Sequence, residues 1–171
     1  MSVHLTCFSD PRMTISQQRL IASAKKFGVD ECHVWRETDL PKWFNDYFAD
    51  VLKEEKGYGL YCWKPTIVFE TQLNLKDGDI LIYADSGQEF IAPVQHVIDE
   101  MKEDILVFTN CWPHQDWCKM DLMTEVNGGA TGNATQVQAS LMFFRVSNRS
   151  RQLLEEWAMR TLKISNIDNS P

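Results

Sequence analysis

A carboxylate at the end of an apolar run is the strongest chemical signal in this chain. Asp79-Ile80-Leu81-Ile82-Tyr83-Ala84-Asp85-Ser86-Gly87 reads as a buried strand that carries Asp85 to its carboxyl end, followed by a glycine. In open α/β sheets, ligands bind in the crevice outside the carboxyl ends of the strands. An acid placed there therefore points into a crevice and not into bulk water. The upstream Asp77-Gly78-Asp79 has the spelling of a metal-binding Asp-x-Asp, but it precedes the strand and reads as the turn that enters it. The ligand chemistry is assigned to Asp85.

Two other groups have the residue types for chemistry. Lys64, just before Pro65 at a helix start, occupies a natural anion position. Cys111, His114 and Cys118 offer thiolates and an imidazole that suit zinc, although no paired Cys-x-x-Cys accompanies them.

The elements that must position these residues follow from periodicity. Val3 to Phe8 predicts a strand and Ser9-Asp10-Pro11 the turn after it. A helix from about Ser16 buries Leu20, Ala24 and Phe27 and stops at Gly28. Cys32 to Trp35 is a second brief strand, and Leu40 to Lys53 carries Trp43, Tyr47, Phe48, Val51 and Leu52 at helical spacing. The helix opened by Pro65 continues through Ile67, Val68, Thr71 and Leu75 to the turn before the Asp85 strand. Pro93 opens a helix with Val94, Val97, Ile98 and Met101, and Ile105 to Phe108 is another strand. Periodicity is lost from Asn110 to Gln136, a stretch that includes the glycine-rich run Asn127 to Asn133. A segment of that length is usually functional or mobile. Val137 to Val146 is the last strand, and a helix from Ser150 buries Leu153, Leu154, Trp157 and Thr161. Strands alternating with helices predict one α/β domain, with a central, mostly parallel mixed sheet flanked by helices.

Composition narrows the partners. The 171 residues are 44% hydrophobic and 24% charged, as expected of one domain with a sizeable core. A net charge of -7 without a run of Lys/Arg argues against nucleic acid. No export signal and no run of about 18 apolar residues is present, so a cytoplasmic protein without a membrane span is expected. Five cysteines at irregular spacing fit reduced thiols better than a disulfide framework.

Several motifs together resemble a known family. Gly57-Tyr58-Gly59-Leu60-Tyr61-Cys62-Trp63-Lys64-Pro65 followed by Lys76 to Gly87 is similar to the core signature of small GT-A-fold glycosyltransferases of bacteria and large algal viruses. Trp117 to Leu122, Gln138 to Phe144 and Ile167 to Pro171 add to the likeness, and the Ala84-Asp85-Ser86 form is most like the domain encoded by chlorella viruses. The resemblance implies transfer of a hexose or deoxyhexose from a nucleotide-sugar, a UDP-sugar, to a glycan acceptor with Mn2+ or Mg2+. For a viral chain it also implies the host cytoplasm. Asp85 is then the metal ligand, because a cation held by a carboxylate stabilises the charge on a departing diphosphate.

By the same resemblance, Thr6, Phe8, Ser9, Arg12, Tyr58, Lys64, Ala84, Asp85, Ser86 and Lys119 meet the nucleotide or its diphosphate. Tyr58 and Trp63 are candidates to stack on base or sugar, with core packing the other use of Trp63. Asp121 and Gln138 are the catalytic candidates, facing sugar hydroxyls and the donor sugar. Gly87 stands where the usual second Asp of Asp-x-Asp would be, so Glu89, a water or a later residue must complete the ligand set. Relatives run on into a His-rich stretch where this sequence stops at Pro171, and no Asp or Glu near its end presents an inverting base, so a retaining course is favoured. A catalytically weak nucleotide-sugar-binding module is the alternative function, and a zinc-binding interaction domain the next.

Overall fold

The computed structural model describes residues 1–127 and 133–167. Five strands form one sheet: β1 (Val3–Ser9), β2 (Glu31–Arg36), β3 (Ile80–Ala84), β4 (Ile105–Pro113) and β5 (Thr135–Arg145), in the order β2-β1-β3-β5-β4. β1 pairs parallel with β2 and β3, whereas β5 runs antiparallel to both β3 and β4. All strands except β5 therefore point one way, as expected of a mostly parallel sheet. The helices are α1 (Thr14–Lys26), α2 (Lys42–Tyr47), α3 (Gly57–Leu60), α4 (Trp63–Leu73), α5 (Gln95–Asp99), α6 (Met120–Asn127) and α7 (Asn148–Thr161).

β1 and β3 are buried along their whole length, which is why they read as continuous apolar runs. Their side chains alternate between two layers. Phe8, Leu81 and Tyr83 pack with Trp63, Ile67 and Val68 of α4 and Leu154 of α7. Leu5, Cys7, Ile80 and Ile82 pack with Leu20 and Ala24 of α1 and with Val94 and Ile98. Each fully buried aliphatic side chain contributes about 1.5–3 kcal/mol of transfer free energy, so the two layers hold β1 and β3 as a rigid centre. Burial also lifts the Cys7 and Cys62 thiols to about 12, which keeps both protonated and inert.

The structure departs from expectation in four places. Leu40 to Lys53 is not one helix: α2 ends at Tyr47 and a single 3-10 turn, Val51–Lys53, follows. Phe44 and Phe48 both turn into the core with ring centroids 4.5 Å apart, and Asn45, Asp46 and Asp50 favour turns over helix interior. The segment from Asn110 is largely ordered, because β4 runs on to Pro113, α6 follows and β5 starts at Thr135. Its alternation is hidden by register shifts between Val107 and Phe108 and between Thr109 and Pro113. The helix after Pro93 is only five residues long. In α7, Leu153 is exposed and Leu154 carries the burial. The glycine-rich run lies mostly, at 128–132, outside the described residues, as does all but Ile167 of the Ile167 to Pro171 motif. Among the described residues no helix is long and apolar enough to cross a membrane.

Candidate functional site

A cleft of about 510 Å³ opens at the carboxyl ends of β1 and β3. Its first wall is the exit of β1. Ser9 Oγ donates to Gln17 Oε1 at 2.8 Å, and the Asp10 carboxylate caps the next turn by accepting from the backbone N–H of Arg12 at 2.8 Å and of Met13 at 3.2 Å. Arg12 Nη2 closes back on Asp10 Oδ2 at 2.7 Å and donates to Glu55 O at 3.1 Å. The guanidinium holds the Asp10 carboxyl below the usual carboxylate range, with the backbone N–H groups adding to it.

The second wall is α3 and the residue after it, where the backbone is left-handed throughout. Gly57 (φ +61°), Tyr58 (+48°), Gly59 (+76°), Leu60 (+55°) and Tyr61 (+64°) all lie in the region that favours glycine. Three of them carry side chains, which makes this a strained segment at the edge of a cleft. A Cβ on Gly57 would meet the Tyr61 ring at 2.5 Å, and one on Gly59 would meet Leu52 Cδ2 at 2.8 Å, so both glycines are sterically required. Phe8 forms the floor between two rings, Trp63 at 4.0 Å and Tyr58 at 5.8 Å between centroids, and Trp63 Nε1 donates to Gly57 O at 2.9 Å.

The third wall is the exit of β3. Asp85 N donates to Ser140 O and Gln88 N donates to Asp85 O, each at 2.9 Å, forming a turn that projects the carboxylate into the cleft. Its Oδ1 accepts from the Tyr83 hydroxyl and lies 2.9 Å from Lys64 Nζ. Oδ2 has no such partner among the described residues. Lys64 is 7% exposed, donates also to Ala139 O at 3.0 Å, and lies 4.9 Å from the Tyr83 ring centroid and 5.3 Å from that of Tyr61. A buried ammonium survives only when paired, so Asp85 and Lys64 depend on each other. Burial first, and the Asp85 charge second, push Tyr83 well above the usual phenol range, so its hydroxyl remains a donor.

The structure thus brings Phe8, Ser9, Arg12, Tyr58, Asp85 and Ser86 around one cleft, with Lys64 beneath it. Ser86 Oγ donates to Phe8 O and ties the two strand exits together. Thr6, expected to meet the nucleotide, is fully buried mid-strand and bonded to Thr71 Oγ1 at 3.0 Å, so its side chain belongs to the core. Ala84 is likewise buried, at the end of β3. Lys119 and Asp121, at the start of α6, do not line the cleft, and neither does Gln138, whose amide donates to Ser140 Oγ at 2.8 Å. Glu89 pairs with Arg19 at 3.0 Å outside the cleft. Cys111, His114 and Cys118 form no metal-ligating cluster among the described residues. Asp79 lies at the other end of β3, accepting from Ser2 N at 2.8 Å.

Sequence reasoning missed Tyr61 as a cleft residue and the Lys64–Asp85 pair. The Gly-Tyr-Gly-Leu-Tyr spelling was the available signal for Tyr61, since glycines flanking aromatic residues mark a backbone forced into unusual φ. Gly87 has no positive φ, and a Cβ there would have only Met13 Cε at 3.9 Å, so a side chain fits where the second Asp is missing.

No protein-family model and no curated protein sequence matches this chain. Solved structures do. The apo bifunctional glycosyltransferase WbbM superposes with a TM-score of 0.55 at 11% identity, over 99% of this chain and 39% of that one. Apo GlyE of Streptococcus pneumoniae TIGR4, a glycosyltransferase, gives 0.54 at 8% identity, over 100% and 40%. The galactosyltransferase LgtC, solved with donor and acceptor sugar analogues, gives 0.52 at 8% identity, over 98% and 66%. The fold is that of GT-A glycosyltransferases. The chain spans about two fifths of the length of WbbM and GlyE.

Proposed function

We propose that this domain is a glycosyltransferase that binds a UDP-sugar in the cleft at Asp85 and transfers a hexose or deoxyhexose to a glycan acceptor. The supporting observation is a carboxylate on a buried lysine, 2.9 Å apart, at the carboxyl end of β3 in a fold that glycosyltransferases use. Tyr58 offers an aromatic face to a base, with Phe8 packed against it, and Ser86 keeps the two strand exits together. Lys64 supplies positive charge under the diphosphate.

A divalent ion, Mn2+ or Mg2+, fits the donor set at one protein atom. Both oxygens of Asp10 are already bonded, which leaves Asp85 Oδ2 as the free carboxylate oxygen lining the cleft. Hard cations take oxygen ligands and keep waters and substrate oxygens, so one carboxylate with a diphosphate suffices for weak binding. Such an ion would neutralise charge on the leaving diphosphate. Gln138 is linked to the Asp85 backbone through Ser140 and is assigned to the donor sugar, and Asp121 and Lys119, at the start of α6, are assigned to sugar hydroxyls and the diphosphate. A retaining course is assigned because Asp10, the other carboxylate of the cleft, is held by Arg12 and is a poor base. We add a cytoplasmic setting, in an infected host cell if the chain is viral, on the motif likeness and the reduced thiols.

A second reading, a nucleotide-sugar-binding module with little turnover, is favoured by Gly87 and by the occupation of Asp85 Oδ1. One screen separates the two. Nucleotide-sugars are incubated with the protein and Mn2+, and both hydrolysis and calorimetric binding are measured. Hydrolysis of a UDP-sugar that requires Asp85 supports the enzyme, binding without turnover supports the module, and neither removes both.

A further inference from the structure

We propose that His4, Glu31 and His33 form a second metal site, of zinc type, at the amino-terminal edge of the sheet. The parallel register sets His4 opposite Glu31 and Thr6 opposite His33, so residues two apart on β1 and β2 put these three side chains on one face. His4 Nδ1 lies 3.1 Å from His33 Nε2 and 3.6 Å from Glu31 Oε2. Ligands at 2.0–2.1 Å around a tetrahedral ion are separated by about 3.3 Å, so these atoms already sit near a ligand spacing. Two imidazoles and a carboxylate suit zinc and its neighbours, leaving the fourth position to water.

The outer shell supports the assignment independently. The other nitrogen of His4, Nε2, faces Asp79 Oδ2 at 3.8 Å, and a carboxylate behind a ligating imidazole is how metal-bound histidines are oriented. Asp79 is itself fixed by the backbone N–H groups of Ser2 and Lys76. The Glu31 side chain is 63% exposed, and His33 borders a groove of about 370 Å³ with Trp35, Glu70 and Thr71, so the cluster is open to solvent. The site lies at the opposite end of the sheet from Asp85 and joins the edge strand β2 to β1. Its effect is structural: an ion there fastens the sheet edge.

Metal-free protein is titrated with Zn2+ and Co2+ by calorimetry and visible absorption. Wild type and Asp85→Asn are expected to bind one equivalent with tetrahedral Co2+ bands and to gain melting temperature with Zn2+. His33→Ala and the exposed Glu31→Gln should each weaken binding about tenfold or more and lose the thermal gain. Equal binding by wild type, His33→Ala and Glu31→Gln overturns the site, as does binding lost only in Asp85→Asn or the absence of tight binding.

Discussion

Asp85 and Lys64 neutralise each other, and either one alone would be a costly charge at the edge of the core. Asp85→Asn keeps the shape and removes the charge. Mn2+-dependent UDP-sugar binding and hydrolysis are expected to collapse while circular dichroism stays native. Asp79→Asn, at the other end of β3, should leave both intact, and the reverse pattern would move the site to the wrong end of the sheet. Lys64→Ala should weaken UDP binding about tenfold or more, the scale of a charge-assisted contact. Unchanged affinity in the folded variant removes Lys64 from the site. Gly87→Asp adds a second carboxylate where a Cβ meets only Met13 at 3.9 Å. Tighter Mn2+ binding, by about tenfold, is expected in calorimetry, and an unaltered affinity would show that the missing Asp is not what limits the ion. Asp85 was legible because topology and spelling agree on it. The Lys64–Asp85 contact was not, since it joins residues from α4 and β3 that only the fold brings together.

At the scale of elements, the left-handed run of Gly57 to Tyr61 decides the shape of the cleft. Gly59→Ala places a methyl against Leu52 in addition to the φ penalty, so a loss of about 2–4 kcal/mol is expected in urea unfolding. Gly78 also has positive φ (+89°) but open space around it, so Gly78→Ala should cost only about 1–2 kcal/mol. Equal losses would mean that the Leu52 contact relaxes freely. β1, β3, α1 and α4 were readable because both faces or one clean stripe are buried. β4 and β5 were read as strands too, but β4 was ended at Phe108 because its register shifts and half-exposed faces erase the two-residue period beyond it, and α2 ends early because tertiary packing of Phe44 and Phe48 overrides the helical spacing of the aromatic residues. The alternation of strands and helices still gave the fold class, which depends on the order of elements more than on their ends.

The whole molecule carries a net charge of -7, and two of its carboxylates tie folding to pH. Asp10, held chiefly by Arg12, and Asp79, held chiefly by the backbone N–H of Ser2, both have folded pKa values below the ordinary 3.8. The unfolded chain therefore binds their protons first, so the stability they confer is fully present above about pH 4 and is lost as the pH falls through their folded values. Urea midpoints are expected to be insensitive to these groups at neutral pH and to drop on the acid side. Asp10→Asn keeps a side chain that caps the turn, so it should flatten part of that acid limb without abolishing the fold. Salt separates the two contributions. The Arg12 side chain is 63% exposed, so its pairing with Asp10 is screened in about 1 M salt, where the Debye length is about 3 Å. The backbone bonds to the nearly buried Asp79 are not. The acid limb that persists in high salt should therefore include the part removed by Asp79→Asn. An acid limb of the same size in both variants and in wild type would show that neither carboxylate links folding to protons.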